Sequence, residues 1–186
     1  MNIENLNEIN KKWHKKNKCE LKNSATGPVF GNGNPSAKIV FIGEAPGKEE
    51  DLSGMPFVGR SGKFLNEMLE SIKLKRDDVY ITNVVKYRPP NNRDPKPEEI
   101  SECLPWLIEE INFIKPKVVV TLGRHALNRF FPKEQISKVH GKFLKNKMKD
   151  FEVENFFALY HPAAALYNGN MREVLINDFK KLKSLK

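Results

Sequence analysis

The chain has 186 residues, a length that buries a sizeable core within one domain. Lys and Arg number 32 against 23 Asp and Glu, a formal net charge of +9, which favours polyanionic partners, nucleic acid first. The longest apolar runs, residues 39–42 and 118–122, fall far short of the roughly twenty residues a membrane-spanning helix requires, and two cysteines exclude a disulfide scaffold.

The opening Met-Asn-Ile-Glu-Asn-Leu lacks the cationic and apolar parts of a secretory signal. With so few cysteines, a reducing compartment and a cytoplasmic location are expected. Residues 3–16 predict a helix, and residues 1–28 an N-terminal helical extension packed on a single domain of residues 1–186. Residues 38–43 form a short apolar run ending in glycine, a strand buried on both faces. Residues 62–73 place Phe64, Leu65, Met68, Leu69 and Ile72 at helical spacing, with Ser61 as the expected N-cap. A second strand is predicted over 79–85. A helix follows over 97–114, opened by Pro97-Glu98-Glu99, whose fixed φ and acidic first turn suit a helix start. Residues 117–123 predict a third strand and 124–131 a helix. Residues 142–150 read as a long polar loop, 156–160 as a fourth strand and 171–185 as the last helix. Strands alternating with helices imply a three-layer α/β/α fold on a four-stranded, mostly parallel sheet with right-handed crossovers. Ligands of such sheets gather outside the carboxyl ends of the strands. Three of those ends carry Gly43-Glu44-Ala45-Pro46-Gly47, Asn83 and His161-Pro162.

These segments, with Pro56-Phe57-Val58-Gly59-Arg60-Ser61-Gly62 and Arg88-Pro89-Pro90-Asn91-Asn92-Arg93, resemble the uracil-DNA glycosylase superfamily, most closely its thermostable, family-four branch. The resemblance runs from about residue 29 to 166, and several motifs occur in order. It implies a monofunctional enzyme that cleaves the bond between uracil and deoxyribose, so that the base leaves as an N1 anion while the sugar takes on oxocarbenium character. His161 is then expected to donate to the developing charge on uracil O2, with Pro162 restricting its backbone. Asn83 can present a donor and an acceptor to the O4 and N3–H edge of an everted base, and Phe57 a stacking platform. The resemblance also places Glu50 near uracil C5, against a thymine methyl, and Ala45 and Gly47 beside the base. Glu44 completes the catalytic set of His161, Glu44 and Asn83. In the best-known uracil glycosylases an aspartate follows the equivalent of Glu44, and here Ala45 stands there, so that Glu44 either orders the attacking water or braces the pocket. Leu166, in the loop the family sends into the minor groove, is the wedge candidate. Arg60, Ser61, Lys63, Arg88 and Arg93 are candidate phosphate contacts.

The family-four enzymes hold a four-iron, four-sulfur cluster on four cysteines. Cys19 and Cys103 match two of those positions, while Lys16 and Tyr87 occupy the other two. Neither is a good soft-ligand substitute, so no cluster and no other cofactor is expected. The chain has no Cys-x-x-Cys or His-x-x-x-His spacing for zinc, so no metal is expected either. DNA containing uracil, single- or double-stranded, is the expected partner, and the protein is expected to act as a monomer. Two other readings remain open: a glycosylase for hypoxanthine or a mismatched pyrimidine, and a DNA-binding relative without catalysis.

Overall fold

A computed structural model of the chain describes residues 3–146 and 148–185. The four predicted strands are present as β2 (Ile39–Gly43), β3 (Tyr80–Asn83), β4 (Val118–Leu122) and β6 (Asn155–Leu159), and they pair in parallel in the order β3-β2-β4-β6. Two strands escaped the sequence reading. β1 (Asn32–Gly33) and β5 (Phe143–Lys145) run antiparallel along the outer sides of β3 and β6, giving, among the described residues, a six-stranded sheet rather than a four-stranded one. The polar 142–150 segment is therefore not wholly a loop, because Phe143 pairs with Phe157 and Lys145 with Asn155.

Side chains alternate across the pleat and build two cores. On one face Val40, Ile42, Val119 and Phe156 pack with Cys103, Trp106, Leu107 and Ile111 of α4 (Pro97–Ile114) and with Ala126 and Phe130 of α5 (Gly123–Phe130). On the other, Ile39, Phe41, Val118, Val120 and Phe157 meet Phe64, Leu65 and Met68 of α3 (Arg60–Ser71) and Leu175 and Phe179 of α8 (Asn170–Lys180). Helices on both faces explain why β2, β3 and β4 are buried along their whole length. α1 (Ile3–Lys16) lies on α4, where Trp13 Nε1 donates to Glu109 at 2.6 Å and Trp106 Nε1 to Asn10 at 3.0 Å. The short helices α2 (Lys48–Ser53), α6 (Ile136–Val139) and α7 (Ala164–Tyr167) complete the α-helices among the described residues.

Several boundaries differ from expectation, and the last helix, expected to run to residue 185, is α-helical only over Asn170–Lys180 and continues as a 3-10 helix over Lys181–Leu185. α3 is capped by Gly59, and Ser61 lies inside its first turn. β3 stops at Asn83, after which the Val84 and Val85 amides turn to the carbonyls of Gly43 (2.9 Å) and Glu44 (3.1 Å). This turn carries Lys86 into the core, where its ammonium donates to Glu110 (2.6 Å), Thr82 Oγ1 (2.5 Å) and the carbonyl of Asn83 (3.1 Å). Glu110 also accepts from Tyr80 (2.7 Å) and Thr82 (3.0 Å). Lys86 and Glu110 are both fully buried, so neither charge is tolerable without the other. Replacing Glu110 by alanine should cost about 3–5 kcal/mol of unfolding free energy, measured by urea denaturation. A cost below about 1 kcal/mol would mean that Lys86 finds water instead.

After β2 the chain crosses to β3 on one side, then returns past β2 to β4 on the other. Loops leaving β2 and β4 thus diverge and open a crevice at their carboxyl ends, the position where open sheets of this kind bind ligands.

Candidate active site at the carboxyl ends of the strands

A cavity of about 700 Å³ fills that crevice. Its walls include Glu44, Ala45, Gly47 and Glu50 from the segment after β2, Phe57 from the loop before α3, Asn83 from the end of β3, and His161 after β6. Chain segments far apart in sequence thus bring the expected amide, aromatic ring and imidazole to one recess.

Asn83 is buried to 1 % exposure, yet among the described residues its Oδ1 has no hydrogen-bond partner. A buried orphan acceptor costs roughly 1–3 kcal/mol, and it persists here because Gly43 lacks a side chain: a Cβ there would fall 2.4 Å from that oxygen and 2.6 Å from the Phe57 ring. Phe57 holds a φ of +53°, a left-handed conformation that a bulky residue adopts only under constraint. The constraint is visible. Arg76 donates to the carbonyls of Phe57 (3.0 Å) and Pro56, and Gly62 leaves room for the Phe57 carbonyl, which a Cβ would approach to 1.9 Å. The ring so placed lies 5.7 Å from the His161 imidazole, centroid to centroid.

His161 receives the backbone N–H of Ala163 on Nδ1 at 3.1 Å. Nδ1 is therefore the bare nitrogen and Nε2 carries the proton. Desolvation lowers the pKa of this imidazole to about 4, against an opposing pull from Glu50, so at neutral pH it is an uncharged donor. Glu44 moves the other way: burial and the neighbouring Asp94 raise its pKa to about 7, with Arg129 and Arg124 opposing. Glu50 is committed to the loops. Its Oε1 accepts from the amides of Val58 (3.0 Å) and Gly59 (2.9 Å) and its Oε2 from that of Gly47 (3.1 Å), tying the segment after β2 to the Phe57 loop.

A second groove adjoins the cavity, lined by Lys48, Arg60, Ser61, Leu166 and Tyr167 among others. Arg60 and Lys63 are exposed, and Leu166 is half-buried. Tyr167, one residue on, is 91 % exposed. Arg88 donates to Asn92 at 2.8 Å. Arg93 forms a two-point ion pair with Glu99 (2.8 and 2.6 Å). The sequence reading missed His125, which stands between Glu44 and Asp94 at the mouth of the cavity, its Nδ1 3.4 Å from Glu44 and its Nε2 3.3 Å from Asp94. Ligand atoms of Glu44, Asp94 and His125 all lie within 4.8 Å of one another, but Arg124 and Arg129 supply positive charge to the same spot.

Away from the cavity, Cys19 and Cys103 are both buried as free thiols, the Cys19 thiol donating to the Glu99 carbonyl at 3.7 Å and the Cys103 sulfur accepting from the Asn17 amide at 4.0 Å. The neighbouring Cys19, the Lys86 amide and Asn17 hold the Cys103 thiol below its usual range, against the effect of burial. Tyr87, buried beside them, bonds His14 at 2.9 Å through its hydroxyl.

A family model described as the uracil DNA glycosylase superfamily matches residues 30–183. The chain is 48 % identical to a type-4 uracil-DNA glycosylase of Sulfurisphaera tokodaii, covering 98 % of this chain and 86 % of that protein. It is 47 % identical to one of Archaeoglobus fulgidus (98 % and 94 %) and 46 % identical to one of Saccharolobus solfataricus (97 % and 86 %). These matches correct the expectation that no cofactor is present, because type-4 enzymes are the branch that contains an iron-sulfur cluster. The donor set around Cys19 does not, however, complete a four-thiolate site: two thiols stand together, and the tyrosine hydroxyl beside them is a hard, protonated oxygen whose pKa is raised by burial.

Proposed function

The chain belongs to the uracil-DNA glycosylase superfamily, and from this we propose that it hydrolyses the N-glycosidic bond of uracil in DNA, leaving an abasic site. The observation that carries this reading is the unpartnered Oδ1 of Asn83, buried between Gly43 and Phe57. An everted uracil supplies the missing donor through N3–H, while the amide nitrogen of Asn83 serves O4. Cytosine has no hydrogen on N3, so an acceptor in this orientation repels it. Phe57 stacks on the base. His161 donates from Nε2 to O2 as negative charge develops there, a neutral donor whose bond strengthens in the transition state. Glu44, as carboxylate, orients water toward the sugar carbon.

Leu166 and the more exposed Tyr167 are proposed to fill the gap the everted base leaves. Arg60, Ser61, Lys63 and Arg88 are proposed to clamp phosphates, with Arg93 contributing once its pair with Glu99 yields. The enzyme is proposed to act as a monomer on single- and double-stranded DNA, from one domain that includes residues 1–28. Two free thiols suit work in a reducing cytoplasm. Labelled oligonucleotides carrying uracil, hypoxanthine or mismatched thymine, treated with protein and then alkali, test the proposal: strand breakage is expected at uracil. Breakage at hypoxanthine alone, or nowhere, would overturn it.

The raised pKa of Glu44 gives a signed expectation. Its carboxylate form predominates only above about pH 7, so kcat/KM should rise with pH to a plateau, with an acid limb near that value. His161, already neutral there, adds nothing to this limb. Asp94→Asn removes the like charge that raises Glu44 and should shift the limb to lower pH. An unmoved limb would assign it elsewhere.

A further inference from the structure

We infer that His125 is a positioning residue for Glu44, holding the carboxylate through its Nδ1–H at the crevice between β2 and β4. The inference rests on the role proposed for Glu44. Glu44 follows β2, while His125 sits in the first turn of α5, directly after β4. The topology that makes the crevice also makes this pair.

Hydrogen-bond direction fixes what the imidazole can do. Arg124 Nε is a donor only, and it points at His125 Nε2 at 3.0 Å. Nε2 must therefore accept, which puts the ring proton on Nδ1, the nitrogen 3.4 Å from Glu44 Oε1. That separation is long for a finished bond, as is common in ligand-free sites that tighten once substrate excludes water. Asp94, 3.3 Å from Nε2, then faces a nitrogen without a proton. Arg129 holds the other side of the residue, its Nε donating to the His125 carbonyl at 3.2 Å. Burial and the two arginines keep the ring neutral against the pull of Asp94. A neutral histidine that donates to Glu44 orients the carboxylate without neutralising it, which a general base requires.

Single-turnover excision by His125→Ala, His125→Asn, His125→Gln, Glu44→Gln and the double variant Glu44→Gln/His125→Ala tests this, with thermal unfolding confirming that each is folded. His125→Ala should slow the chemical step roughly 10- to 100-fold, the cost of a misplaced catalytic group, with KM little changed and the acid limb displaced. Asparagine places an N–H where Nδ1 was and should restore most of the rate, whereas glutamine, which mimics Nε2, should not. Adding His125→Ala to Glu44→Gln should cost nothing more, since the first acts through the second. Multiplicative losses in the double variant, rescue by glutamine instead of asparagine, or activity lost in EDTA and restored by Mn²⁺ would each overturn the inference, the last by making the three side chains a metal site. Impaired Glu44→Gln with unimpaired His125→Ala rejects the inference alone. A Glu44→Gln enzyme with wild-type turnover rejects the role of Glu44 and the inference with it.

Discussion

His161→Ala should lower the rate of uracil excision by about 10²- to 10³-fold, the usual cost of removing one rigid donor to a developing oxyanion, while DNA binding changes little. The expectation follows from the tautomer. Because the Ala163 amide occupies Nδ1, the proton stands on Nε2, and the ring enters the reaction as a fixed, uncharged donor. A glutamine at 161 can reach with its amide nitrogen to where Nε2 was, so it should recover part of the loss. An asparagine, too short and matched to Nδ1, should not. The loss should also be the same on either side of pH 7, because an imidazole with a pKa of about 4 does not titrate there. A loss confined to acid solution would mean that the charged imidazolium is the working form. Wild-type turnover by His161→Ala would take the residue out of the mechanism.

The parts of this molecule that announced themselves in the sequence are those whose physics is local. Four strands buried on both faces must be apolar and β-branched, and they read so. The helix over Pro97–Ile114 was legible to the residue because its Pro-Glu-Glu start and its apolar stripe agree. The edge strands did not show, since two or three residues such as Asn32–Gly33 become strand only when a neighbour offers its free edge. Asn83, Phe57 and His161 were marked by the motifs around them, but the strain on Phe57 and the orphaned oxygen of Asn83 exist only once Gly43, Gly62 and Arg76 have converged from elsewhere. Glu110 left a trace that went unread: it occupies a position in the buried stripe of Cys103, Trp106, Leu107, Ile111 and Ile114, where a carboxylate demands a buried cation. His125 left less. Its meaning comes from strand order, which brings the end of β4 beside the end of β2, and no spacing along the chain encodes that. The cysteine count misled in a different way, because the number of thiols describes a ligand set and does not by itself decide whether a cofactor is held.

Asn83→Leu should separate the needs of the fold from those of the reaction. The two side chains are close in shape, so the leucine fits between Gly43 and Phe57 without a cavity. It also removes an acceptor that the folded protein leaves unpaired, a burden of roughly 1–3 kcal/mol. Stability should therefore rise, by about 2–4 °C in Tm for each kcal/mol recovered in a domain of this size. Excision should fall by about 10²- to 10⁴-fold, since a site built to bond a polar base edge loses that much when one partner is taken away. Asn83→Asp supplies the control: it keeps the shape but buries a charge and loses the donor to O4, so it should lower stability and activity together. Opposite signs for leucine and a shared sign for aspartate would show that Asn83 is kept at the expense of stability, for the sake of a ligand. A leucine variant that is less stable than the parent would instead mean that solvent in the crevice already satisfies the Asn83 oxygen, and that Asn83 is kept for the fold and not for a ligand.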